Sequence, residues 1–275
     1  VGARRCICLA LVLLVAGCGG SDDKQAPNKA SAPATGVAQP KPKEPIGVSL
    51  KRVNAAQAAR DCKRLTPLTF SILREQLRPG LPATAAECRG FDKATRGQKP
   101  AVFDKTAEYG TAAFMEGPPT TSAKGIRSQS LWALDSDGVF RFTRVSGQGT
   151  EQIGTRPAPG TKIAANADAF LAGVRRHDCR LLATTINPNG RLASAGKGVP
   201  GACKVVLKGK LFEPALRESP GARAVKLGAT RSFAFYGVST KKAYFTLLMR
   251  LTSPKQQDEM TVMDVLPNTP IKPAG

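Results

Sequence analysis

Apolar and polar positions along this chain follow two distinct periods. Ser130-Leu131-Trp132-Ala133-Leu134 and Val139-Phe140-Arg141-Phe142-Thr143 flank Asp137-Gly138, which predicts a hairpin turning at Asp-Gly. Arg231 to Val238, Ala243 to Leu251 and Met260 to Leu266 predict three further strands. Elsewhere the period is helical. Ala167, Phe170, Leu171 and Val174 fall on one face, with Asn166 as the expected cap. Val53, Ala56, Ala59 and Cys62 recur at threes, a weaker stripe of small residues. Helices first and antiparallel strands afterwards predict an α+β fold.

The order occurs twice. Ala58-Ala59-Arg60-Asp61-Cys62-Lys63-Arg64-Leu65 is echoed by Val174-Arg175-Arg176-His177-Asp178-Cys179-Arg180-Leu181. Phe114-Met115-Glu116-Gly117 is echoed by Ala234-Phe235-Tyr236-Gly237. This predicts two tandem repeats, residues 46–150 and 161–270, each a helix pair packed on a curved antiparallel sheet. The stretch Gly147 to Gly160, rich in Gly and Pro, is the expected joint.

The first eighteen residues have another character. Arg4 and Arg5 precede an unbroken apolar run from Cys6 to Ala16. That run is about half of the roughly twenty residues a membrane-spanning helix needs, and it reads as the core of a signal peptide over residues 1–17. Residues 19–45 hold prolines at 27, 33, 40, 42 and 45 and no aromatic residue. Such a segment buries too little apolar surface to offset its ordering entropy. It is expected to be a flexible spacer with a reach of roughly 30 Å.

Val15-Ala16-Gly17-Cys18 resembles the lipobox of bacterial lipoproteins. The resemblance implies that Cys18 becomes the mature N-terminus and carries diacylglycerol and palmitate. The protein would then be anchored by lipid on the extracytoplasmic face of the cell membrane, with the membrane itself as first partner. Cys6 and Cys8 would leave with the signal, so that four cysteines remain: Cys62, Cys88, Cys179 and Cys203. An even count in an exported chain predicts disulfides. Four cysteines allow three pairings, and the repeat favours Cys62–Cys88 and Cys179–Cys203. No Cys-x-x-Cys pair occurs, and no metal or other cofactor is expected.

The helix–sheet order resembles the nuclear-transport-factor-two-like cone, the fold of ketosteroid-isomerase-like and polyketide-cyclase-like proteins. The residues that carry this are Asn166 to Val174, the turn at Asp178 and the strand Thr261-Val262-Met263-Asp264-Val265. The resemblance implies a pocket between helices and sheet, used for catalysis or small-molecule binding, or filled by side chains.

Charge narrows the partners. The chain has 41 Lys and Arg against 20 Asp and Glu, a formal charge of +21. Nucleic acid is the usual partner of such a chain, but an exported lipoprotein seldom meets any, so none is expected. Anionic lipid headgroups and wall polymers are the candidate polyanions.

Candidate catalytic chemistry is sparse. His177 is the chain's only histidine and adjoins Asp178, but neighbours on a helix do not face each other. Asp168, Asp264, Tyr236 and Tyr244 are the residues a cone-fold enzyme would draw on, yet none maps onto a known catalytic motif, and no catalytic residue is assigned. Asp61 and Asp178 read as helix caps. Gly190 to Gly198 lacks phosphate-loop spacing, and Gly147-Gln148-Gly149 lacks the third glycine of a dinucleotide fingerprint. Both read as loops. The leading expectation is a non-enzymatic envelope protein that binds a ligand or anionic envelope component through its basic surface or cone pocket. The alternatives are a pocket enzyme of isomerase or cyclase type, and an accessory subunit docking through an exposed sheet.

Overall fold

A computed structural model describes residues 36–68, 102–119, 126–149, 153–253 and 256–269. The expected signal segment, the expected lipobox with Cys18, the expected spacer as far as Thr35, and Cys88 lie outside the described residues, as does any Cys62–Cys88 bridge. The fold is mixed α+β with two four-stranded antiparallel sheets. Residues 34–275 form one compact unit.

Helix α1 (Ile46–Ala58) starts directly after Pro45, whose extended backbone suits a helix entry. It buries Ile46, Ser49, Val53 and Ala56. The buried stripe therefore starts at Ile46, about two turns earlier than Val53, and Ala59 is exposed. Ser49 donates to the Phe140 carbonyl at 2.9 Å, and Asn54 both donates to and accepts from the Phe103 backbone. The short helix α2 (Cys62–Leu65) follows, with Asp61 accepting from the Arg64 amide as a cap.

The first sheet is a meander of β1 (Lys105–Tyr109), β2 (Ala112–Pro119), β3 (Arg127–Leu134) and β4 (Phe140–Gly149). The expected hairpin is present, with Leu134 opposite Phe140 and Gly138 at φ +82° in the turn. Gly147-Gln148-Gly149, expected as loop, continues β4 and pairs with β3.

Helices then run as α3 (Ala164–Arg176), α4 (Cys179–Thr185), α5 (Arg191–Ala195), α6 (Val199–Leu207) and α7 (Phe212–Arg217). The apolar face of α3 is buried as its spacing predicts. Its cap differs: Ile163 holds that position, while Asn166 donates across to the Met260 carbonyl. The Gly190–Gly198 stretch, expected as loop, contains α5, a single turn and a half bounded by glycines.

The second sheet repeats the meander order with β5 (Ala224–Ala229), β6 (Phe233–Ser239), β7 (Tyr244–Ser253) and β8 (Gln256–Pro267). The two sheets face each other. Ala112, Phe114, Leu131 and Ala133 of the first meet Phe233, Phe235, Leu248 and Leu266 of the second. Tyr109 stacks on Phe235 at 5.0 Å between ring centres. Thr111, Thr246, Asn268 and the Leu134 carbonyl form a buried chain of hydrogen bonds between the sheets. The alternate residues face away. Ala113, Met115, Trp132 and Leu134 pack under α1. Ala234, Tyr236, Val238, Phe245, Leu247 and Met249 pack under α3–α7. The layers are thus helix, sheet, sheet, helix, and central strands are apolar on both faces.

Two further differences from expectation follow. Aligning Phe114-Met115 with Ala234-Phe235 is out of step by one residue. Phe114 faces the opposite sheet, as Phe233 and Phe235 do, whereas Ala234 faces the helices, and a one-residue slip exchanges the faces of a strand. The expected spacer also ends earlier than Pro45. Val37 exchanges hydrogen bonds with Thr240 and Ser239, and the Lys43 amide donates to Gly138.

Candidate functional site

The connection from α4 to α5 runs along the outer edge of β8. Asn187 donates its amide to the Val262 carbonyl at 2.8 Å and its side chain to the Arg250 carbonyl. Gly190 then lies against the Met263 backbone, where a Cβ would collide. This close approach delivers Arg191 to Asp264. Its Nε donates to Oδ2 at 2.6 Å and its Nη2 to Oδ1 at 2.5 Å. Asp264 also accepts from the Val265 amide. The carboxyl is fully buried, and burial pushes it above the ordinary carboxylate value against the pull of Arg191 and that amide.

The end of α5 and the start of α6 touch through Gly196 and Gly201, with no space for a Cβ on either. Cys179 and Cys203 form a disulfide, with Cα atoms 5.4 Å apart, that joins α4 to α6. Between these helices and the second sheet lies a cavity of about 270 Å³. Val205, Val206 and Phe212 line it from the helical side, and Phe245, Val265 and Pro267 from the sheet. The ionisable residues on its lining are Arg191 and Lys210.

Most residues singled out in the sequence lie elsewhere. His177 ends α3 in the left-handed region at φ +53°, and its Nε2 meets Glu213 Oε1 at 2.9 Å. Asp178 caps α4, accepting from the amides of Arg180 and Leu181. Asp168 is exposed on α3. Tyr236 is buried beneath the helices, and burial, reinforced by the charge of Asp168, pushes its phenol up. The Tyr244 ring lies over Gly237, its hydroxyl donates to Gln39, and burial pushes it up to about 12. None of these lines the cavity, and Asp264 reaches it only through Arg191.

Sequence reasoning passed over Arg191, Lys210 and Phe212, and took Val265 only as part of a strand. One signal was available. From Cys179 to Phe212 the chain carries Arg180, Arg191, Lys197, Lys204, Lys208 and Lys210 and no acidic residue. Among the described residues no group of three His, Cys, Asp or Glu is placed to hold a metal, and no helix is long and apolar enough to cross a membrane. Comparison with protein-family models, curated proteins and solved structures gives no match.

Proposed function

We propose that this chain is a lipid-anchored protein of the cell envelope whose folded body binds a small ligand between its helices and second sheet. The observation that carries the reading is the 270 Å³ cavity, largely apolar, walled by segments that a disulfide and a buried ion pair hold in place. Sites for small molecules share that character: concave, mostly apolar and largely preformed. The two sheets share one strand order, each after its own helices, and this supports two tandem repeats of a helix-on-sheet unit like the nuclear-transport-factor-two-like cone. Anchoring rests on Val15-Ala16-Gly17-Cys18, and the charge of +21 favours an anionic envelope surface as a further partner.

An isomerase- or cyclase-like reaction at this cavity would need a proton acceptor facing the ligand. The ionisable lining is Arg191 and Lys210, both cationic, so binding is the better reading. Two experiments test it. Cys18→Ser releases the protein from the membrane fraction, and unchanged partition overturns the anchor. In that released chain the dye 1-anilinonaphthalene-8-sulfonate binds with one-site stoichiometry. Val205→Trp, which fills the cavity from half-buried Val205, abolishes binding at unchanged melting temperature. Dye binding indifferent to Val205→Trp overturns the pocket.

A further inference from the structure

We infer that the occupant of this cavity is a single-chain amphiphile with an anionic head, an inference that rests on the pocket reading above. Its apolar part would lie against Val205, Val206, Phe212 and Phe245. The head would meet Lys210, the exposed lysine of the lining. Asp264 offsets the charge of Arg191 within their pair, so the uncompensated charge on the lining comes from Lys210. No acidic residue stands among those that line the cavity. Asp178 is engaged with two backbone amides, and Glu213 meets His177 and Arg217. A carboxylate or phosphate head thus finds the exposed ammonium of Lys210 on a lining that carries no acidic residue.

Volume limits the apolar part. Pockets for drug-sized ligands measure roughly 300–1,000 Å³, and this cavity offers about 270 Å³. One short chain or one ring system fits. The two acyl chains of a bilayer phospholipid do not, so the ligand is a water-soluble amphiphile rather than a membrane lipid.

The test uses the full chain carrying Cys18→Ser and three probes of equal length: octanoate, octanol and octylammonium. Calorimetric titration at low salt is expected to rank octanoate first, about tenfold over octylammonium, the combined scale of attraction to and repulsion from one solvent-exposed charge. Lys210→Glu, on the exposed wall, reverses the order of the two charged probes and leaves octanol unchanged. Octyl phosphate is expected to behave as octanoate does. Equal or tighter binding of octylammonium, or an order that Lys210→Glu leaves unchanged, overturns the anionic head. Val205→Trp separates the two levels. If it abolishes binding of all probes while their order is wrong, the pocket stands and the head group falls. If it leaves them bound, or if no probe binds the parent chain, the pocket itself falls and takes this inference with it.

Discussion

Arg141 and Arg191 each grip an aspartate through two guanidinium nitrogens, at 2.5 and 2.6 Å in both cases, yet the two carboxyls respond in opposite directions. Asp137 sits in the β3–β4 turn with its side chain 48% exposed, and the hydrogen bond from Arg141 holds it below the ordinary carboxylate value. Asp264 is wholly buried, and there desolvation outweighs the same partner at the same distance. Ion-pair geometry alone therefore does not give the sign of a titration. The water each group has lost decides it.

The sharpest way to break this comparison is to remove the arginine at the buried site. Arg191→Met leaves a buried carboxylate without its partner, and the expected loss at neutral pH is about 3–5 kcal/mol by urea unfolding. Adding Asp264→Leu should restore most of it. A loss under about 1 kcal/mol would show that Asp264 is solvated after all.

The wall bearing Arg191 is also held by Cys179–Cys203. Replacing both cysteines with serine is expected to cost about 3 kcal/mol on the chain-entropy account for a bridge closing this length of chain. An unchanged melting temperature would assign the wall's rigidity to the ion pair alone.

The opposite titrations have opposite consequences for stability against pH. The Asp137 contribution is present above the unfolded-state value near 3.8 and is lost as pH falls through its lowered folded value. For Asp264 the folded state holds its proton more tightly, so stability falls as pH rises from about that same unfolded value through the raised one. Melting temperature against pH should keep the acid-side loss in Asp264→Asn and lose part of it in Asp137→Asn. An identical acid limb in Asp137→Asn and the parent chain would remove Asp137 from the account.

The smallest effect is expected for Asp137→Asn at neutral pH, about 1 kcal/mol or less. Arg141 keeps Asp135 at 3.0 Å, and the turn keeps Gly138 at its positive φ. A loss of several kcal/mol in chemical denaturation would mean that the turn is as desolvated as the Asp264 site.

These two regions also differ in how much of them the sequence disclosed. The turn was legible because Asp137-Gly138 and its flanking alternation are local. The apolar face of α3 was legible for the same reason, and so was Cys179–Cys203, from its spacing and the echo of Asp-Cys. Strand β2 was hidden, because Ala112-Ala113-Phe114-Met115 is buried on both faces and shows no alternation. The short glycine-bounded helix α5 was hidden because fewer than two turns carry no readable period. The cavity was hidden because its lining comes from α5, α6, the turn into α7 and two strands, a few residues at a time. Its electrical character was nonetheless written in one continuous stretch, the acid-free segment from Cys179 to Phe212.

The segment ahead of α1 has a mechanical consequence. Val37 is clamped to Ser239 and Thr240 at the end of β6, and Gly36 lies so close to them that a Cβ would strike Ser239. Six residues later Lys43 is tied to Gly138, in the turn of the other sheet. A force applied upstream of Gly36 meets the second sheet before it reaches the first, although every strand of the first comes earlier in the chain. Load entering at the N-terminal side therefore falls first on the second sheet, and peeling must break the clamp at Val37 before it can pull on the tie at Lys43 or on α1.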